Sequence, residues 1–520
     1  MSTSDKPTIV LFNPSPYDNA KYYGLPLPLL AISALPHAKG WPIKIVVQDV
    51  DGEDSERQVM EACEGALLFG VTSLTGSMIG HGLEMSRKVR ARYPDLPIVW
   101  GGTHPSIAPE QTVEHPLVDV VVAGQGEGTF MELIEALYDG RPLDSVRGIL
   151  FKRDGQIVET PKHPTVDIDK LPPMAYEIVD VPKFVELHSA GVQGKQKGGR
   201  SITYYSSYGC PFSCSFCSEP MTSNRRWFAK SPERVVDEIG TMVKNYDVNV
   251  VIFEDPIYFI DVRRARRISE LMLERGLDVQ WAATSRLETI KKIDEETWDI
   301  LKRSGFTQVF IGIESASPTV LKAIGKRYTA DDIVDATRIL HERDVQLVTT
   351  FIQGIPVEAP GRTFEEIQEE DMRLASQTIL RMIDASPSVG VGVVMYTPYP
   401  GSVAYHLSVK LGFVPPDSLE GWTTFSHYSN QVPWMSPEQQ IFSEMSSLAQ
   451  FALKGNLGRG RRGGNPKIAR KVILSAYSAA TRERYKRGYF KHAVEQHAMQ
   501  KVVQFVLRRK GVRETEGFLI

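Results

Sequence analysis

Three cysteines near the middle of the chain have the types and spacing needed to hold a metal cluster. Cys210, Cys214 and Cys217 follow a C-x3-C-x2-C pattern within the segment YGCPFSCSFCSEP. Thiolates are soft ligands that suit iron–sulfur clusters or zinc. The only other cysteine, Cys63, is distant in the sequence, whereas a structural zinc site normally has four protein ligands. The spacing therefore favours an iron–sulfur cluster with one position left open.

This spacing, with Phe216 just before the last cysteine, resembles that of the radical S-adenosylmethionine (SAM) superfamily. In that family three cysteines hold a [4Fe–4S] cluster, and the amino and carboxylate groups of SAM bind the fourth iron. The resemblance implies that Cys210, Cys214 and Cys217 are catalytic and bind the metal, and that Phe216 lies beside SAM. It also implies reductive cleavage of SAM to methionine and a 5′-deoxyadenosyl radical, which abstracts hydrogen from an unactivated carbon.

Length and composition set the broad class of the protein. The 520 residues predict two or three domains. The 42% hydrophobic and 24% charged content is typical of a globular protein, and the net charge of −3 indicates no particular partner. Four cysteines, three of them clustered, fit a reducing compartment, and no signal peptide or membrane-spanning apolar run is present in the sequence. We expect a cytoplasmic protein.

In residues 1–147 the sequence predicts β-strands that alternate with α-helices. Short apolar runs alternate with amphipathic stretches such as Leu27–Lys39 and Met78–Tyr93. The predicted strands are Thr8–Phe12, Ile43–Val47, Ala66–Val71, Pro97–Trp100 and Val118–Ala123. This pattern predicts an α/β domain with a doubly wound, Rossmann-like sheet. Its ligand should bind at the carboxyl ends of the strands.

Glycine-rich loops follow three of these strands: TSLTGS, GGTHPSIAP and GQGEG. Glycine lets the backbone approach a bulky cofactor closely. The order of these loops ahead of the cysteine motif resembles the cobalamin-binding radical SAM enzymes, and the resemblance covers about residues 6–402. On that basis ten residues would line the cobalamin: Thr72, Ser73, Gly101, Gly102, Thr103, His104, Gly124, Gln125, Gly126 and Glu127.

One cobalamin motif is missing. The older D-x-H-x-x-G pattern, whose histidine ligates cobalt, is absent, because Leu35 stands where the aspartate would precede His37. We interpret His37 as a surface residue and His104 as a loop residue at the edge of the corrin. The resemblance then implies a cobalt without a lower histidine ligand, which favours a nucleophilic Co(I) that can take a methyl group from SAM.

Residues 201–402 predict a second α/β domain, a partial (β/α)6 barrel of the TIM type. Five strands should follow the cluster strand: Val248–Phe253, Val279–Thr284, Gln308–Ile313, Val345–Gln353 and Gly390–Tyr396. Residues at the carboxyl ends of barrel strands are typically functional. The resemblance implies that Glu254 or Asp255 holds the amino group of SAM and that Arg286 pairs with its carboxylate. Glu314 would lie near the ribose or brace Arg286, and Gly354 would pack against adenine.

The remaining segments predict a linker and a cap. Residues 148–200 contain a β-hairpin around Asp154-Gly155, a proline-rich strap and a mobile loop at Gly191–Arg200. Residues 403–520 predict a mostly helical C-terminal domain with helices at Ser436–Leu453 and Lys467–Leu507. Between them lies the basic loop Gly455–Gly464. The excess of Lys and Arg over Asp and Glu from Lys454 onward fits a solvated surface, an anionic substrate or partner, or peripheral contact with an anionic membrane.

Together these features predict a cobalamin-dependent radical SAM enzyme, most simply a C-methyltransferase that uses methylcobalamin and a 5′-deoxyadenosyl radical. One alternative is a radical SAM cyclase or rearrangement enzyme acting on a tetrapyrrole, lipid or natural product. Another is a non-catalytic corrinoid- or lipid-binding protein. The expected partners are a small-molecule substrate, for which an anionic compound is one option, and an electron donor such as flavodoxin or ferredoxin. No motif for nucleic acid is present.

Overall fold

The computed structural model describes residues 6–18, 20–191, 199–425, 432–454 and 468–488, and the single residues 498 and 501. Two sheets and one short hairpin account for all its strands. The strands are β1 (Ile9–Asn13), β2 (Ile43–Val47), β3 (Leu68–Thr72), β4 (Ile98–Gly101), β5 (Val120–Val122), β6 (Ile149–Arg153), β7 (Gln156–Glu159), β8 (Ser201–Tyr204), β9 (Ser207–Tyr208), β10 (Phe228–Ala229), β11 (Val250–Phe253), β12 (Gln280–Ser285), β13 (Phe306–Glu314), β14 (Gln346–Gln353) and β15 (Gly390–Met395).

Helices connect most of the strands. They are α1 (Leu27–Ala38), α2 (Gln48–Asp51), α3 (Ser55–Ala62), α4 (Ser77–Arg92), α5 (Thr103–Ile107), α6 (Pro109–Glu114), α7 (Gly126–Tyr138), α8 (Val181–Gly191), α9 (Glu219–Ser223), α10 (Pro232–Tyr246), α11 (Val262–Glu274), α12 (Leu287–Ile290), α13 (Glu295–Arg303), α14 (Pro318–Ala323), α15 (Ala330–Glu342), α16 (Phe364–Ala385), α17 (Val403–Lys410), α18 (Pro437–Leu453) and α19 (Ile468–Arg487). No helix of this described part is long and apolar enough to cross a membrane.

The first sheet has the order β2-β1-β3-β4-β5-β6-β7, and its first five strands are parallel. Alternate residues of β1 face opposite sides: Ile9 and Leu11 join the core with α1 and α7, whereas Val10 and Phe12 join the core with α3 and α4. Helices therefore cover both faces, and the predicted doubly wound sheet is confirmed. Its parallel strands all end at one edge, where the glycine-rich segments lie.

The hairpin that we assigned to the linker is part of this sheet. β6 pairs antiparallel with β5, and β7 pairs antiparallel with β6. Asp154 and Gly155 both have positive φ, as the predicted tight turn requires. A boundary at residue 147 would therefore cut the sheet between hydrogen-bonded strands. We propose instead that the first domain extends to about residue 159.

The second sheet contains six parallel strands in the order β15-β14-β13-β12-β11-β8. Each strand is followed by helical structure, so this is the predicted open barrel of six β/α units. The strand bounds match the sequence prediction closely because most of these strands are short segments rich in β-branched and aromatic residues. The predicted functional residues accordingly lie at one edge of this sheet.

The described part of the C-terminal region packs on both sheets. Trp422 and Phe425 pack into the core of the first sheet, and Trp422 Nε1 donates to Gln111 Oε1 at 2.6 Å. In contrast, α18 packs on β15, and α19 packs on α16 and α18. The helical character of this region agrees with the prediction. Three predicted segments lie outside the described residues, apart from the single residues 498 and 501: the loop Gly455–Gly464, residues 192–198 of the predicted mobile loop, and the predicted helix beyond residue 488.

Candidate functional site

The three cysteines line one cavity of about 300 Å³ at the carboxyl edge of the barrel. Ends of β12, β13 and β14 form the opposite wall, and Phe216 lies beside the cysteines. The loop enters this position through Gly209, whose φ is +76° and whose Cβ, if present, would lie 2.2 Å from the Arg226 carbonyl oxygen. Only glycine fits there. The Cys217 amide then donates to the Cys214 carbonyl at 3.1 Å, which turns the loop back on itself.

The arrangement of the thiols fits a polynuclear cluster better than a single ion. Cys210, Cys214 and Cys217 are all partly exposed and face the same cavity. Within the described part of the chain, no three His, Cys, Asp or Glu side chains converge closely enough to hold one metal ion. Burial raises the pKa of Cys217 to about 12, and a bound metal would displace its proton. A soft, three-thiol wall with open space in front suits an iron–sulfur cluster.

Arg286 lies directly beside the cysteines. Its Nη1 is 3.8 Å from Cys214 Sγ, and its Nη2 donates to Glu288 Oε1 at 3.0 Å. The guanidinium stacks on the Phe212 ring, 3.9 Å from the ring centroid. The predicted fork-shaped donor therefore does line the cavity, where it can bind a carboxylate.

Glu314 also lines the cavity, but its partner is not Arg286. Its Oε1 lies 3.3 Å from Lys326 Nζ, and its Oε2 accepts from Thr350 Oγ1 at 3.3 Å. Lys326 Nζ also donates to the Gly312 carbonyl, and its side chain is buried. Sequence reasoning missed Lys326 because it lies after α14, away from any strand end. The cavity thus holds a buried Lys–Glu pair as well as Arg286.

Asp255 and Glu254 point to different places. The buried Asp255 carboxylate accepts from the Ser206 amide at 2.7 Å and from the hydroxyls of Ser206 at 2.5 Å and Ser207 at 2.6 Å. It thereby fixes the chain just before the cysteine loop and does not line the cavity, in contrast to its predicted role at SAM. Glu254 is exposed and does not line the cavity either.

Gly354 does not reach the cysteine cavity either. Its amide donates to Gln368 Oε1 at 3.0 Å, and its carbonyl accepts from Trp434 Nε1 at 3.0 Å. A Cβ at Gly354 would lie 2.5 Å from Met435 Sδ. The predicted contact with adenine is therefore not available, because the C-terminal region covers this glycine.

A second cavity, of about 260 Å³, lies at the carboxyl edge of the first sheet. Seven of the ten predicted cobalamin residues line it: Thr72, Gly101, Gly102, Gly124, Gln125, Gly126 and Glu127. Gly102 has φ +100°, and a Cβ there would lie 2.8 Å from the Ser73 carbonyl oxygen. The backbone edge is thus kept free of side chains, as a bulky planar ligand requires. Burial raises the pKa of Glu127.

The other three predicted residues lie behind this cavity. The segment after Gly102 forms α5 instead of a loop, and it places His104 fully inside the protein. His104 Nδ1 lies 2.9 Å from Thr75 Oγ1, and its ring packs on Trp422, with centroids 5.6 Å apart. Ser73 is buried and donates to the Leu74 carbonyl at 2.7 Å, and Thr103 begins α5. None of the described histidines lines the cavity.

The burial of His104 predicts a pH effect on stability. Desolvation lowers its pKa from 6.5 to about 4. Below about pH 6.5 the unfolded chain binds a proton that the folded protein excludes, so the free energy of unfolding decreases until about pH 4. At pH 5 this loss amounts to about 2 kcal/mol. The free energy of unfolding, measured with urea, should fall between pH 7.5 and pH 5 by about 2 kcal/mol less in His104→Phe than in the wild type.

A matched control is His406→Ala, because His406 is exposed on α17. It should keep the wild-type difference between the two pH values. An unchanged pH dependence in His104→Phe would contradict the assignment.

Glu219 connects the two cavities. It lines both of them, and its amide donates to Cys217 Sγ at 3.4 Å. Its carboxylate accepts from Thr222 Oγ1 at 3.3 Å, and burial raises its pKa. Sequence reasoning missed this residue, although a carboxylate two positions after the last cysteine was a usable signal. Tyr205 and Tyr208 from the barrel also line the second cavity, so that cavity lies between the sheets.

Comparison with known proteins agrees with this geometry. Residues 204–369 match the sequence model of the Radical SAM superfamily, and residues 17–134 match that of the B12 binding domain. The first match contains the cysteine loop, and the second contains most of the glycine-rich edge.

Individual relatives cover most of the chain. An uncharacterized methyltransferase of Pyrococcus horikoshii is 30% identical over 69% of this chain and 72% of its own length. The anaerobic magnesium-protoporphyrin IX monomethyl ester cyclase of Rubrivivax gelatinosus is 28% identical over 78% of this chain and 69% of its own. The radical SAM methyltransferase TsrM of Kitasatospora setae superposes with a TM-score of 0.65 at 17% identity, covering 96% of this chain and 100% of that one. This last likeness concerns the fold.

Proposed function

The chain belongs to the family of cobalamin-dependent radical SAM enzymes, and from this we propose that it methylates an unactivated carbon of a small molecule. One observation carries the proposal: the three-cysteine cavity and the glycine-lined cavity are neighbours that share Glu219. A radical source and a methyl donor held in these two cavities would face a common space. Methyl transfer to carbon needs that proximity.

The residues that would hold the cofactors follow from the two linings. Cys210, Cys214 and Cys217 would hold the [4Fe–4S] cluster, and Arg286 would bind the SAM carboxylate. The cobalamin would rest on the edge formed by Thr72, Gly101, Gly102 and residues 124–127. When bound, the cluster with SAM supplies the radical and cobalamin supplies the methyl group, so the protein's contribution is positioning.

The chain's own groups can perform that positioning. Arg286 is preoriented by Glu288 and Phe212, so its fork need not reorganise when a carboxylate arrives. The Lys326–Glu314 pair offers a charged, buried contact on the same wall. Mostly apolar residues line the second cavity and exclude water from its interior.

A second function within the same family is an oxidative cyclase. The specific support is the similarity to the cyclase of Rubrivivax gelatinosus over 78% of this chain. The two functions predict different products from SAM. A cyclase uses SAM only to form the radical, whereas a methyltransferase also uses it as the source of the methyl group. The third possibility, a non-catalytic binding protein, has no support from the site, where all three cysteines line an open cavity.

Product analysis tests the proposal. The protein is reconstituted anaerobically with iron, sulfide and cobalamin, then incubated with cell extract and SAM bearing a deuterated methyl group. We expect a product carrying the deuterated methyl group, with both S-adenosylhomocysteine and 5′-deoxyadenosine formed. 5′-Deoxyadenosine without matching S-adenosylhomocysteine would favour the cyclase. Methylated product formed in the absence of cobalamin would exclude the proposed mechanism.

The partners follow from the reaction. SAM cleavage needs one electron, so we propose an external one-electron donor of the flavodoxin or ferredoxin type. We also propose a cytoplasmic location, since four free cysteines suit a reducing compartment. An anionic substrate, or an anionic membrane at the basic C-terminal region, remains part of the proposal because of the charge of that region.

A further inference from the structure

We propose that a groove on the outer side of the cysteine loop is the docking surface for a small acidic flavoprotein that carries one electron. The inference rests on the proposed function, which requires such an electron. The groove has a volume of about 760 Å³ and runs past Phe212 of the cysteine loop. We call it the basic groove, because five basic side chains line it: Arg225, Arg286, Lys291, Lys292 and Arg327.

The charge of the basic groove is only partly compensated. Glu288 and Asp332 are its two acidic residues, and they pair with Arg286 and Lys291. Arg225, Lys292 and Arg327 are exposed, and no carboxylate of the described residues lies within ion-pairing distance of them. The whole chain has a net charge of −3. This local excess of positive charge is therefore a feature of the groove and attracts an acidic surface.

The groove is separated from the cluster ligands by a single layer of side chains. Phe212 is 37% exposed at the groove and stacks on Arg286 at 3.9 Å. Arg286 in turn lies 3.8 Å from Cys214 Sγ and lines both the groove and the cysteine cavity. A carrier docked against Phe212 would thus be separated from Cys214 by the side chains of Phe212 and Arg286.

The occupant is identified by chemistry. Phe212 is an exposed aromatic residue among basic side chains. This combination is typical of a protein surface that binds an acidic partner. Phe212 can contact the apolar edge of a flavin ring, which favours a flavoprotein over other acidic carriers. In the transfer the reduced carrier would lose one electron and the iron–sulfur cluster held by the three cysteines would gain it, and no covalent bond would form or break.

The test compares two double variants with the same change in charge. Lys292→Glu/Arg327→Glu alters the groove, and Lys170→Glu/Arg263→Glu alters residues outside it whose side chains are 84% and 95% exposed. Binding of a bacterial flavodoxin to each reconstituted protein is measured by titration at low and high ionic strength. We expect the groove variant to bind about tenfold or more weakly, with a smaller salt dependence, and the control to match wild type.

Reduction by dithionite, which needs no docking, and the iron content should be the same in wild type and both variants. Equal flavodoxin binding by the two double variants would overturn the proposal, as would carboxylate cross-links that map outside the groove. Binding of a ferredoxin but not of a flavodoxin would overturn the choice of carrier. If the double variant loses iron, Lys292→Glu alone, at an exposed turn, repeats the test. Normal docking without methylated product would refute only the proposed function.

Discussion

Replacing Cys214 with alanine should abolish both the iron–sulfur absorbance of the reconstituted protein and the formation of 5′-deoxyadenosine. Cys214 lines the cavity and is in contact with Arg286. Its replacement therefore removes a cluster ligand and also a contact of the Arg286 guanidinium. Losing an outer partner of a metal ligand typically lowers affinity or activity 10–100-fold, and losing the ligand itself should cost at least about a hundredfold. Iron and sulfide analysis with product quantification measures both effects.

Cys63→Ala is the matched control. Cys63 is 1% exposed in the core of the first sheet, far from the cysteine loop in the fold. Its replacement should reduce stability by a small cavity effect and leave iron content and 5′-deoxyadenosine unchanged. A Cys214→Ala protein that retains a full complement of iron would refute the assignment of the loop as the cluster site.

Replacing Gly101 with phenylalanine should prevent cobalamin binding while leaving the cluster intact. Gly101 lies on the same face of β4 as Val99, and both line the second cavity. Its φ is not positive, and a Cβ would make an ordinary 3.6 Å contact with the Val122 carbonyl oxygen. The aromatic ring would therefore occupy the cavity without backbone strain. Forcing a ligand against it costs typically 1–3 kcal/mol or more, so binding should weaken at least about tenfold.

The measurement is the cobalamin absorbance that remains after desalting, beside iron content and 5′-deoxyadenosine. Gly101→Ala serves as the control, because the added methyl group fits and most of the cavity remains open. We expect it to bind cobalamin nearly as the wild type does. Full cobalamin binding by Gly101→Phe would show that the ligand lies elsewhere.

The sequence predicted the two sheets and the edges at which the ligands bind. Strands such as β13 and β14 are short and rich in β-branched and aromatic residues, and their carboxyl ends fell within a residue or so of the predicted ends. The cysteine loop, Arg286 and most of the glycine edge followed, since each comes directly after a strand. The sequence predicted the hairpin of β6 and β7 but not its place in the first sheet. The residues of the hairpin do not indicate that β6 pairs with β5.

Side-chain partners were less predictable. Glu314 was expected near the ribose or beside Arg286, but it pairs with Lys326, while Arg286 pairs with Glu288. Asp255 looked equivalent to its neighbour Glu254, yet one is buried against Ser206 and Ser207 and the other is exposed. Adjacent residues at a strand end point to opposite sides, and sequence does not say which side faces the ligand.

The sequence by itself determined the spacing of the three thiols and the alternation of strands and helices. These are local properties, fixed by bond geometry and by hydrophobic periodicity over a few residues. Only the tertiary structure decided that Trp422 covers His104, that Trp434 covers Gly354, and that Glu219 belongs to both cavities. Those outcomes depend on segments far apart in the chain, such as Gln111 and Trp422, separated by 311 residues, whose packing no local pattern encodes.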